Sequence, residues 1–396
     1  MRILFVAMSG SIHTVRWVRQ LKDQGWDLYL FPAYDDRGVH DDLKGVEVCI
    51  PFVSILRWFE KKGLGKYSRF LYTKIANQKT KRSPDYYAQR LSRYIDTIKP
   101  DLIHSLETQG AGYLVAKVKC EFSKDRRFPV WWHTNWGSDI FLFGRMPFHQ
   151  PLIRLVLENC DYYSCECSRD IELASQFGFK GITLPVYPNT GGFDPDMIDG
   201  FRAKSDVASL RKVIMLKGYQ GWAGRALVGI RALERCSDII SGYTIVIYSN
   251  PDGVDVAIAS TLMSQNTGAS IKILPENTPH QEIMRYHSLA RISIGLSIGD
   301  AISTSLLEAM AMGSFPIQSC TACASEWFED GVSGLIVTPE DPEDVEKAIR
   351  KALLDDDLVN SAANINYDKI VREANFEQLK IKTIDSYKQI LNTNHV

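Results

Sequence analysis

Apolar and polar positions along the chain follow two periods that take turns. Arg2 to Met8 is a continuous apolar run, Ser9, Gly10 and Ser11 form a small turn, and Ile12, Val15, Val18 and Leu21 recur at helical spacing until Gly25. Asp27 to Phe31 returns to a strand pattern, so the chain opens with a βαβ unit. Further strands are expected at Val46 to Ile50, Asp101 to Ser105, Pro129 to His133 and Cys160 to Cys165, with helices at Tyr86 to Ile98 and Ser168 to Phe177. Ile182 to Asn189 leads into TGGFDPD, a Gly, Pro and Asp cluster that reads as a loop or linker.

The alternation then restarts. Strands are expected at Val213 to Lys217, Tyr243 to Tyr248, Ser270 to Leu274, Arg291 to Ser297 and Phe315 to Ser319. Helices are expected at Ala226 to Glu234, Val254 to Met263, Gln281 to Ser288, Glu340 to Leu354 and Phe376 to Leu391. Strands alternating with helices twice over imply two parallel-sheet α/β domains, and 396 residues exceed what one core usually supports. The expected division is 1–195, 206–375 and a terminal helix over 376–396, with the boundary near residues 190 to 205.

Composition changes this picture little. A net charge of -1 argues against a general nucleic-acid binder. No apolar run reaches a membrane span and the first residues run straight into a strand, so a cytoplasmic protein without a signal peptide is expected. Cys165 and Cys167, and Cys320 and Cys323, lack a second pair at finger-like spacing, so reduced thiols are expected rather than a metal site. One local exception stands out: between Val53 and Arg82 nine basic residues face the single acid Glu60, with aromatics interleaved. Such a mixture suits either peripheral contact with an anionic membrane or a solvated insertion.

Candidate chemistry concentrates in two stretches. Arg291 to Glu308 reads as a strand, a turn at Gly299 and a helix, with Asp300 and Glu308 framing Ser303, Thr304 and Ser305. A helix start of this kind is an anion site, although Ser305 and Glu308 alone also satisfy a capping box. After the strand ending at Lys217, KGYQGWAGR combines three glycines with Lys217 and Arg225, groups suited to a diphosphate.

An acidic residue separated by seven residues from the Glu of LLEAMAMG, followed by SEWFEDGVSGLIVTPEDPEDVEKAI, resembles the signature of retaining glycosyltransferases of family 4. The resemblance implies a GT-B fold, two Rossmann-like domains facing across a cleft, and a UDP- or GDP-type nucleotide sugar as donor with no further cofactor and no metal. It implies that Asp300 holds sugar hydroxyls and Glu308 the ribose; Lys217 and Arg225, in the reverse of the family's order and at longer spacing, and the helix start at Ser303 to Ser305 are the groups for the diphosphate. Independently of the resemblance, Gly10 in the turn of the first βαβ unit is a candidate for the nucleotide, and His13 at the helix start could point into the cleft or cap a turn. Gly137, Ser138 and Asp139 match the family's sugar-contacting turn, but Trp136 stands where a His is usual and His133 lies three residues earlier, leaving His133 as the catalytic candidate. Asp300 is one methylene shorter than the usual Glu. The acceptor would be a glycan, a lipid-linked sugar or a small molecule. Rival readings are a nucleotide-sugar epimerase of the same fold and a degenerate nucleotide-binding scaffold.

Overall fold

The computed structural model describes residues 1–33, 38–49, 84–122, 127–189, 191–202, 207–250 and 253–394, so the basic and aromatic run from Val53 to Arg82 lies outside the described residues. The chain divides into two units, Met1–Gly191 with Lys380–Val396, and Gly192–Leu379.

The first unit is built on a seven-stranded sheet of order β3-β2-β1-β4-β5-β6-β7. Its strands are β1 Arg2–Ala7, β2 Asp27–Pro32, β3 Glu47–Val48, β4 Leu102–Leu106, β5 Val130–Thr134, β6 Tyr162–Ser164 and β7 Ile182–Thr183. Every pairing is parallel. Parallel strands are buried on both faces, which is why β1 is apolar from Ile3 to Ala7 rather than alternating, and why β4 is buried at every position. The chain leaves β1 in one direction to β2 and returns on its other side at β4, a switch point where ligands bind beyond the carboxyl ends.

Residues of the last helix, Phe376–Asn394, complete this unit. Tyr387 is fully buried, its hydroxyl accepting from Trp17 Nε1 at 2.9 Å and pairing with His104 Nδ1 at 2.6 Å. His104 Nε2 meets Thr134 Oγ1, which meets Ser164 Oγ, itself an acceptor for Trp132 Nε1. Burial holds the His104 imidazole neutral, and it stacks on Trp132 with centroids 3.9 Å apart.

The second unit has a six-stranded parallel sheet of order β10-β9-β8-β11-β12-β13. These are β8 Val213–Lys217, β9 Thr244–Tyr248, β10 Ser270–Ile273, β11 Ala290–Gly295, β12 Phe315–Ser319 and β13 Leu335–Val337. Its switch point falls between β8 and β11, so the ends of those strands, Lys217 and Gly295, mark the ligand edge.

Several stretches differ from expectation, among them helices Tyr113–Glu121 and Gln150–Asn159, which no expected element anticipates. TGGFDPD is not all loop, because helix Pro195–Arg202 starts inside it, with Pro at the first helical position and Asp194 Oδ1 accepting from Asp196 N at 3.0 Å. Helix Asp356–Glu373 has no counterpart in the periodicity: its buried positions Val359, Ala362 and Ile370 share the face with Asn366, whose side chain donates to Ser333 O. Among the described residues no helix is long and apolar enough to cross a membrane.

Candidate functional site

In the second unit the chain after β11 turns through Ser297 to Ser303 and enters helix Thr304–Met312. Ser303 is the N-cap, and its side chain makes no capping bond; Oγ accepts from Lys217 Nζ at 3.1 Å and pairs with Ser305 Oγ at 2.8 Å. The capping-box alternative fails here, since Ser305 lies inside the helix and the cap is Ser303. The β8 lysine and a helix N-terminus thus converge at the switch point, two positive contributions facing one position.

The loop after Lys217 is pinned against this turn. Gly224 bridges to Ser297 and Arg225 N donates to Leu296 O, and a Cβ at Gly224 would come within 2.1 Å of Tyr219 O. Arg225 is not aimed at a ligand as expected: Nε donates to Glu340 Oε1 at 3.0 Å and Nη1 to the Gly221 and Gly224 carbonyls. In this structure its guanidinium braces the loop, while Lys217 Nζ faces the helix start.

Glu308 lies one turn into the helix with its side chain almost wholly buried. Its Oε1 accepts from His280 Nε2 at 2.6 Å, while Oε2 lies 3.9 Å from His287 Nε2. Both histidines belong to helix His280–Leu289, seven residues apart, which puts them on one face. Their spacing was the available signal in the sequence, but nothing there ties them to Glu308. Asp300 is half-buried in the turn, its Oδ1 accepting from Ala301 N at 3.0 Å.

The first unit gathers a second group at the ends of β4 and β5. Gly137 opens the turn at φ 25°, a left-handed conformation that favours glycine, and Ser138 starts a short helix. Trp136 is half-buried and tilted against His13 with ring centroids 5.4 Å apart, and its Nε1 has no hydrogen-bond partner among the described residues. Gly10 sits in the preceding turn, where Ser11 caps helix Ile12–Arg19 by accepting from His13 N. Two expected contacts turn inward instead. Asp139 Oδ2 accepts from Trp136 N and Thr108 N at 2.7 and 2.8 Å, bracing the turn. His133 is fully buried between Ser105 Oγ and Thr108 Oγ1, and burial lowers its pKa to about 3, so it stays neutral and in contact with protein rather than acting as a catalytic group.

Glu107, next to Asp139, was not legible as a site residue. It stands at φ 75°, strained for a side chain, and its Oε1 accepts from Gly110 N and Ala111 N, both at 2.6 Å. Burial raises its pKa to about 7, and it helps to push the buried Asp139 carboxyl well above the usual range, where burial is the larger cause. A folded value above the unfolded 4.5 means that stability is full below pH 4.5 and falls as pH rises to about 7. Glu107→Gln keeps the acceptor and removes the proton, so urea unfolding is expected to show a variant more stable than wild type at pH 8 with a smaller gap at pH 4.5. Equal loss at both pH values would reject this.

Family models match two stretches: "Glycosyl transferase 4-like" over residues 2–165 and "Glycosyl transferases group 1" over residues 259–369. No curated protein sequence matches. Among solved structures, the chain is similar to sucrose-phosphate synthase from Thermosynechococcus elongatus at 14% identity and TM-score 0.68, covering 99% of this chain and 100% of that one. It is similar to HepE from Anabaena in complex with UDP-glucose, at 14% identity and TM-score 0.68, covering 98% and 100%. Trehalose 6-phosphate synthase from Burkholderia multivorans superposes with TM-score 0.69 at 12% identity, covering 100% and 99%. At such identities the likeness shows a shared two-unit fold.

Proposed function

Because this chain belongs to the group 1 glycosyltransferases, with the GT-B fold of two Rossmann-like units, we propose that it moves a sugar from a nucleoside-diphosphate donor to a glycan, lipid-linked or small-molecule acceptor with retention of configuration. The observation that carries this reading is Lys217 Nζ lying 3.1 Å from Ser303 Oγ at the start of the helix that also holds Glu308. In this reading the β and α phosphates of the donor sit at that helix start, where backbone N–H groups of Thr304 and Ser305 and the Lys217 ammonium stabilise the charge that develops as the glycosidic bond breaks. Glu308 accepts from the ribose hydroxyls and Asp300 from hydroxyls of the sugar. HepE, of like fold, holds UDP-glucose, which supports a UDP sugar as the first donor to try. In the first unit, the Trp136 to Ser138 turn and His13 are the acceptor-side groups.

Lys217 and the helix start stabilise the leaving diphosphate in this reading, and turnover is proposed not to need a divalent ion. Asp194 and Asp196 have the Asp-x-Asp spacing of metal-dependent transferases, but Asp194 Oδ1 accepts from Asp196 N at the start of helix Pro195–Arg202. With a UDP-sugar, release of UDP should depend on added acceptor and persist in excess EDTA. Loss in EDTA with recovery on magnesium or manganese would reject metal independence; conversion of donor without any acceptor would point to an epimerase.

A further inference from the structure

We propose that His280 is a latch on the ribose site, occupying in the free protein a Glu308 carboxylate oxygen that the ribose hydroxyls require and leaving it when the donor binds. The inference rests on the reading of Glu308 as the ribose acceptor.

The Glu308 side chain is only 6% exposed, whereas that of His280 is 39% exposed. The imidazole therefore stands on the solvent side of the contact, and the carboxylate is covered partly by that ring. His280 Nε2 donates to Oε1 at 2.6 Å, a short charge-assisted bond that a ribose hydroxyl must replace or share. His280 is the first residue of its helix, with no side-chain cap bond from Pro279 before it, so ring rotation about the side chain breaks no turn of the helix.

The carboxylate also keeps an internal neighbour when the ring leaves. His287 is fully buried with Nδ1 at 2.9 Å from Ser293 Oγ, and its Nε2, which has no hydrogen-bond partner among the described residues, lies 3.9 Å from Oε2. Ser293 Oγ is in turn fixed against Ser314 Oγ at 2.8 Å, so the ring orientation is set from behind. One histidine is thus rigid and internal, the other exposed and replaceable. A carboxylate so placed can exchange its outer partner without losing its position.

The consequence is a competition specific to ribose hydroxyls. Removing the ring removes the competitor, so His280→Ala should bind UDP more tightly than wild type, by about two- to fivefold. With 2′,3′-dideoxy-UDP, which has no hydroxyls to place on Glu308, the same variant should show no gain. Calorimetric titration of both ligands into wild type, His280→Ala and Glu308→Gln tests this. A purely structural histidine would give a lower melting temperature with no tightening. Unchanged or weaker UDP binding by His280→Ala, or an equal gain with the dideoxy ligand, overturns the latch while leaving the ribose site standing, provided that Glu308→Gln weakens UDP. If Glu308→Gln binds UDP as wild type does, the ribose reading itself falls and the latch with it.

Discussion

Truncating Tyr387 to alanine is expected to lower the stability of the first unit by about 4 kcal/mol, the usual range for a buried aromatic. Its ring lies 4.6 Å from Trp132 by centroids and is fully buried, and its hydroxyl joins Trp17 to His104. Losing it opens a cavity and leaves the Trp17 indole N–H and one His104 nitrogen without their partner in a site closed to water. Tyr387→Phe keeps the ring and should cost less, about 1 to 3 kcal/mol for the stranded polar groups. Urea unfolding of both variants separates packing from hydrogen bonding. A loss below about 1 kcal/mol for the alanine variant would show that the terminal helix contributes little to this core.

Glu308→Gln is expected to weaken nucleoside-diphosphate binding by roughly tenfold to a hundredfold, the effect of losing a charged acceptor for ribose. Asp300→Asn should leave that binding nearly intact and lower turnover or shift sugar preference, if its carboxylate serves the transferred sugar as proposed. The contrast follows from position. Glu308 is inside the helix and held between two histidines, whereas Asp300 is half-buried in the turn before it and accepts from Ala301 N. A capping role would make Glu308→Gln a stability variant only, but the helix begins at Ser303 and Glu308 Oε1 is paired with His280.

Most strands of both sheets were legible because buried parallel strands are written as short apolar runs between turn residues, as at Arg2–Ala7 and Ala290–Gly295, whereas the short edge strands Ile182–Thr183 and Leu335–Val337 were not. Helix Asp356–Glu373 was not, since a polar Asn366 sits on its buried face and blurs the period. Helix Pro195–Arg202 was hidden by its own start, the Asp-Pro pair that marks a loop as readily as a helix cap. At the site, Lys217 and Ser303 could be singled out because one closes a strand and the other opens a helix, and Glu308 through the motif that carries the family resemblance. Arg225 could not be placed by type alone: its partner Glu340 is 115 positions away, and only the fold brings that carboxylate to the loop. His280 and His287 met Glu308 through packing of two helices, and Glu107 met Asp139 through adjacent strands β4 and β5, contacts that no local spacing encodes.

Calorimetric titration of UDP and GDP into wild type, Glu308→Gln and Asp300→Asn bears most directly on the claim that the β8 end and the helix start at Ser303 form a nucleotide-sugar site. The expected result is one-to-one binding by wild type and by Asp300→Asn, with affinity for Glu308→Gln lower by roughly tenfold to a hundredfold. Wild-type protein that takes up neither nucleotide, or a Glu308→Gln protein that melts at a lower temperature yet binds as wild type does, would contradict it.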